Sequence, residues 1–176
     1  MALQKEMIRL WMILTVGLLA QDSAFAGPHL GGTIADFQAA WGRPTSEERV
    51  DRTARLIWGP YNRQTKLPAG IREAHLQFLD QVACRVGLRG RLGVEENWGW
   101  IVRQIRNVIP SCPQKLAEPQ PNFEGDREFY LKDGTFIIVR KFKERTIIII
   151  HGVLFLKNQE VFVHEMAKIH PPEASH

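Results

Sequence analysis

Little in this sequence announces a chemistry. Its 176 residues hold only two cysteines, Cys84 and Cys112. That is too few for a disulfide-dense toxin or a four-cysteine zinc ribbon. Glycine and proline number 14 and 10, ordinary amounts that exclude collagen-like and low-complexity chains. A strong charge of one sign is also missing, since 23 Lys+Arg against 19 Asp+Glu leave a formal net charge of +4. An excess that small does not mark a nucleic-acid-binding chain. G-x-S-x-G, H-E-x-x-H and phosphate-loop patterns are absent. With 44% hydrophobic and 24% charged residues, what remains is a globular composition.

The one long apolar run lies at the start, over residues 10–20 (LWMILTVGLLA). Basic Lys5 and Arg9 precede it, and polar Gln21-Asp22-Ser23 ends it. It is shorter than the ~20 residues a membrane helix needs. Ala24-Phe25-Ala26 then has the small-x-small form that signal peptidase cuts. A signal peptide over residues 1–26 is predicted, with a periplasmic or secreted product of about 150 residues. The alternative is an uncleaved anchor. No cysteine near the cut offers a lipidation site. Export permits a disulfide, and pairing Cys84 with Cys112 leaves no thiol over. Such a bridge is worth about 3–4 kcal/mol in the chain-entropy model. The competing reading, a catalytic thiol, sits badly beside a second cysteine in an oxidising compartment.

Periodicity predicts helix, strands, helix, strands. Thr33 and Asp36 form a capping box ahead of Ile34, Phe37 and Trp41, and Gly42 and Pro44 punctuate the end. Residues 55–60 read as a strand. Residues 74–79 and 82–89 alternate as a hairpin about Asp80-Gln81. One helix over residues 71–86 is the rival. The strongest helix spans residues 95–109, with Val94, Trp98, Ile101, Val102, Ile105 and Val108 on one stripe. Asp133-Gly134 turns residues 128–132 into 135–142. The β-branched run at residues 147–150 is predicted to be buried on both faces. Residues 153–156 and 161–166 suggest a last hairpin. The fold class is α+β: tandem helix-then-antiparallel-strands units (27–92 and 93–170), the sheet covered by two helices, with a loose tail at 171–176.

Gly32-Thr33, Phe37 and Gly42-Arg43-Pro44 together give G-T-x-x-x-F-x-x-x-x-G-x-P. This resembles the opening of the small outer-membrane-assembly lipoprotein module, the SmpA/OmlA family. There a Thr starts a helix and G-x-P ends it before antiparallel strands. The β-lactamase inhibitory protein family doubles a similar unit. The resemblance implies that architecture and an exported, non-enzymatic class. This chain departs from it in lacking the lipidation cysteine and a G-x-P after the second helix. No binding residues carry over.

Candidate chemistry is sparse. The six histidines show no catalytic spacing, although His75, His151 and His164 lie on strand-like segments. His164, His170 and His176 recur every six residues, which suits no metal geometry, so no metal or cofactor is expected. Arg85, Arg89 and Arg91 form one basic cluster, and Arg140, Lys141, Lys143 and Arg145 surround a hairpin tip. These could hold an acidic protein or an anionic envelope partner. They could equally discourage edge-to-edge pairing. Trp100 lies off the helical stripe beside Arg103, where an exposed tryptophan would form a hot spot. The candidate binding set is therefore Trp100, Arg103, Arg140, Lys141, Lys143 and Arg145, with no catalytic residue. The expected function is an exported, soluble, non-enzymatic protein that binds another protein or an envelope component. The alternative is a small exported hydrolase using His and a basic residue.

Overall fold

Thr33 caps the first helix, α1 (Ile34–Trp41). Its hydroxyl accepts from the Asp36 N–H at 3.3 Å, and the Asp36 carboxylate accepts from the Thr33 N–H at 2.7 Å. In the computed structural model, residues 28–90, 97–142 and 145–169 are described. The segment predicted as a signal peptide, Arg91, Lys143 and the residues from His170 on lie outside them.

Four strands follow α1: β1 (Ser46–Val50), β2 (Thr53–Trp58), β3 (Ile71–Leu79) and β4 (Val82–Gly90). Then come α2 (Trp98–Val108), β5 (Arg127–Tyr130), β6 (Phe136–Phe142) and β7 (Arg145–His151). Two helices close the described chain, α3 (Val153–Lys157) and α4 (Gln159–Ile169). The seven strands form one antiparallel sheet in the order β1-β2-β3-β4-β7-β6-β5. The two strand groups meet where Val86 of β4 opposes Ile150 of β7. No helix among the described residues is long and apolar enough to cross a membrane.

Residues 71–90 form the hairpin, not the helix. Asp80 and Gln81 both adopt positive φ, 49° and 68°, as a two-residue hairpin loop requires. At the other hairpin, Leu131 O accepts from the Gly134 N–H at 3.0 Å, and Gly134 takes φ 85°. Period-two alternation buries Leu56, Trp58, Leu76, Phe78, Val86, Leu88, Ile137, Val139, Ile148 and Ile150. These side chains share one core with Phe37 and Trp41 of α1 and Ile101, Ile105 and Val108 of α2.

Several expectations are corrected. Strand β1 was not foreseen, because Ser46-Glu47-Glu48-Arg49-Val50 has no apolar alternation; it is a charged edge strand held by pairing to β2. The last hairpin is instead α3 and α4. Their buried residues, Phe155 and Phe162, stand seven apart, two helical turns, and pack on Leu79 and Cys84. Only alternate residues of the isoleucine run are fully buried: Ile148 and Ile150 face the core, while Ile147 and Ile149 stay half-buried on the second face.

The predicted disulfide is also overturned, for both thiols are free and buried. A bulge explains why. Phe78 opposes Ala83 and Gln77 opposes Arg85, so Cys84 is the extra residue of the ladder. Ala83, not Cys84, therefore shares the core cluster with Val86 and Leu88. Cys84 joins the small cluster of Leu79, Phe155 and Phe162, whereas Cys112 belongs to the main core. The catalytic-thiol reading fares no better. Burial pushes the Cys84 thiol up to about 12, which keeps it protonated and a poor nucleophile at neutral pH.

Candidate functional site: the second face of the sheet

Side chains opposite the core line up across strands, because antiparallel register sets paired residues side by side. One row crosses all seven strands: Glu48, Arg55, Gln77, Arg85, His151, Phe136 and Tyr130. The next row is Ile57, His75, Gly87, Ile149 and Ile138. A third holds Glu73, Arg89, Ile147 and Arg140. A groove of about 770 Å³ runs over these rows, between β2 and β7, with Val163 and Ala167 of α4 at its wall.

Gly87 makes the low point of the groove. It leaves a gap between His75 and Ile149 in its row. A Cβ there would meet its nearest atom, His75 O, at an ordinary 3.6 Å. Backbone strain therefore does not demand glycine at this position; the missing side chain shapes the face instead.

The groove collects cations. Glu73 contacts His75 Nε2 and accepts from Arg89 at 3.3 Å. Burial raises the Glu73 carboxyl, but the His75 hydrogen bond and the His75 and Arg89 charges outweigh it and hold the group ionised. Arg89 is thus paired. Arg55 stands 3.7 Å from Glu48. Arg85 and Arg145 have no carboxylate partner among the described residues. Arg85 donates to Gln77 Oε1 at 3.2 Å and lies 5.3 Å over the Phe155 ring; Arg145 lies 5.1 Å over Phe142. Burial, and then the like charge of Arg55, lower the Arg85 guanidinium. This is a site where positive charge has accumulated at an energetic cost.

His151 confirms that polarity. Its ring sits between Phe136 and Phe155, centroids 5.9 and 5.0 Å away, and its Nδ1 is buried without a hydrogen-bond partner. Burial, and then the charge of Arg85, push it down to about 4. It is therefore neutral at pH 7. An unfolded histidine titrates near about 6.5. The stability that neutral His151 contributes is complete above that value and is lost as pH falls towards 4. About 1–2 kcal/mol is expected, discounted for a half-buried ring. Urea unfolding at pH 7 and pH 4.5 checks it. His151→Phe should shrink the difference between the two pH values, and an unchanged difference would refute the assignment.

The predicted binding residues do not converge. Trp100 is 4% exposed, so the exposed hot spot fails. Its indole fills the space above Gly70, where a Cβ would come within 2.7 Å of Nε1. Trp98, expected in the core stripe, is half-buried and packs against the core, donating to Leu116 O at 2.6 Å beside Phe129. Arg103 is exposed and shares a separate cleft with Trp100, Pro68 and Arg106. Arg140 is engaged by Asp126, whose side chain is 4% exposed, through contacts of 2.5–3.0 Å. That hydrogen bonding holds Asp126 below the usual carboxylate range. Lys141 stands 3.8 Å from Glu118. Lys143 lies outside the described residues. Of the tip cations described, Arg145 alone lines the groove, with Arg85 and Arg89 of the other cluster. Arg55, Glu73 and Gln77 were missed; the alternation on β2 and β3 was their only signal. Among the described residues no cluster of His, Cys, Asp or Glu could hold a metal.

No family model, no curated protein and no solved structure matches this chain.

Proposed function

We propose that the chain is an exported, non-enzymatic binding module that engages an acidic protein or an anionic envelope component on the second face of its sheet. In this reading residues 1–26 are removed on export, and the product works in the periplasm or outside the cell. Helices α1 and α2 lie against one sheet face, and the partner takes the part of the other face between β2 and β7 that α3 and α4 leave open. The resemblance of the α1 motif to the outer-membrane-assembly lipoprotein module favours such an exported, non-enzymatic class. One observation carries the proposal: Arg85 and Arg145, without carboxylate partners among the described residues, line the same groove as Arg55 and Arg89. Cations so gathered are stabilised by an anion that replaces the missing counter-charge.

A second reading has its own support. The His75–Glu73 contact lies in the same groove beside Arg89, and such a pair can activate water in a hydrolase. The two readings separate in one experiment. The mature protein and an Arg85→Gln/Arg145→Gln variant are used to capture partners from a periplasmic or culture extract. Binding predicts an acidic component retained by the wild type, released by salt and lost with the variant. If nothing is retained, while purified protein turns over an ester, glycan or nucleic-acid substrate and His75→Ala abolishes it, the hydrolase reading replaces the first.

A further inference from the structure

The groove is not simply cationic. Its charged end is the row of Arg55, Gln77 and Arg85. The next row holds the Gly87 gap beside Ile149, and the row after it holds Ile147 beside the Glu73–Arg89 pair; both isoleucines are half-buried residues of β7. At about 3.3 Å per residue, the stretch from the Arg85 row to the Ile147 row runs roughly 13 Å, apolar along β7 and flanked on β3 and β4 by His75 and the Glu73–Arg89 pair. On the wall, Val163 of α4 is 72% exposed, an apolar side chain lining the same groove. A volume of about 770 Å³ falls within the range of sites that take small organic ligands.

A cationic row, and next to it a side-chain gap flanked along β7 by two isoleucines, describe the complement of one kind of molecule. We infer that the groove binds a small amphipathic anion, its acid group against Arg85 and Arg55 and its apolar body over Gly87 on Ile149 and Ile147. This deepens the binding reading and rests on it: the anionic component is a single-headed amphiphile rather than an extended acidic surface. A bare anion would leave the isoleucines wet, and a neutral apolar ligand would leave Arg85 without a counter-charge. Arg85, lying over Phe155, is placed to meet a carboxylate or a phosphate monoester, which share this head chemistry.

The probes are octanoate and octyl phosphate, with octanol and inorganic phosphate as controls, titrated calorimetrically into the mature protein. Both amphiphiles, or one of them, should bind, and their relative affinity identifies the head. Arg85→Gln should weaken binding about tenfold or more, the loss of one charge-assisted hydrogen bond. Gly87→Val should do the same by filling the gap. It is a suitable probe because Gly87 has no positive φ and a β-branched residue suits a strand. Unchanged circular dichroism and melting temperature establish that each variant folds.

The inference is overturned if octanol binds as well as octanoate, or if inorganic phosphate displaces the amphiphiles at equal concentration. It is overturned if neither amphiphile binds, if acidic peptides bind in their place, or if Gly87→Val binds normally. Should the capture experiment still retain an acidic partner through Arg85 and Arg145 while the amphiphiles fail, the binding module stands and this ligand falls.

Discussion

Replacing Phe37 by Ala should cost about 3–5 kcal/mol, among the largest losses expected from a single truncation of a described residue. Phe37 is fully buried and stands at the centre of an aromatic cluster. Its ring lies 5.0 Å from Trp41, 5.8 Å from Phe78 and 6.3 Å from Trp58, the first two edge-on. Edge-on pairs add stabilisation beyond the burial of area. The neighbours come from α1, β2 and β3, so the cavity left by alanine would lie between the helix and two strands. Relaxation is hindered because Trp58 is tied by its own hydrogen bond to Gly42 O at 2.8 Å. For a domain of this size, such a loss lowers the melting temperature by about 10–15 °C. The contrast is Phe123, wholly exposed, where alanine should change stability by less than about 0.5 kcal/mol. Chemical denaturation of both variants decides it. A Phe37→Ala cost near that of Phe123→Ala would mean that α1 does not pack on the sheet as described.

How far residue pattern reveals this protein differs between the two faces of its sheet. Helix α1 was legible to the residue, because Thr33, Asp36, Phe37 and Gly42 act locally or through one strong burial preference. The alternation in β3 likewise told which residues face the core, whereas the unbroken isoleucine run of β7 concealed that only alternate residues do. Strand β1 was not legible, since an edge strand can be held by backbone pairing while its side chains stay charged. Helices α3 and α4 were misread because their β-branched and aromatic residues mimic strands; the seven-residue spacing of Phe155 and Phe162 was the available clue. The groove was beyond reach for another reason. Arg55, Gln77, Arg85 and His151 become neighbours only through three registers, one of which is shifted by the bulge at Cys84. A single slip would turn Arg85 to the opposite face. The same bulge separates Cys84 from the core that holds Cys112. The cations were therefore visible as charges along the chain, but their gathering was a property of the sheet.

Gly42→Ala should cost about 2–4 kcal/mol, more than an exposed glycine at a helix end would suggest. Gly42 has φ 78° and ψ −166°, a region essentially reserved for glycine. Alone, that conformation costs alanine on the order of 1–3 kcal/mol. The surroundings add to it. A Cβ at this position would lie 2.3 Å from Gln64 O, a distance at which the backbone must move. The segment carrying Gln64 is fastened on both sides: the Lys66 N–H donates to Trp41 O at 2.9 Å, and Asn62 Nδ2 donates to Arg43 O at 2.9 Å. Moving it would also disturb the Trp58 indole bond to Gly42 O, and through it the aromatic cluster around Phe37. Gly125 supplies the control, with φ 83° and open space around its missing Cβ. Gly125→Ala should therefore show conformational strain alone, about 1–2 kcal/mol. Equal costs at the two sites, measured by urea unfolding, would show that close approach of the Gln64 backbone contributes nothing. A larger cost at Gly42 explains the G-x-P at the end of α1 physically. Glycine lets the 59–66 loop close on the helix, and proline stops the helix beyond it. The motif residues Gly32, Thr33, Phe37, Gly42 and Pro44 thus serve α1 and its packing, and none lines the groove. The motif therefore concerns how the chain folds, and the groove proposed to bind on the second face of the sheet is built from other residues.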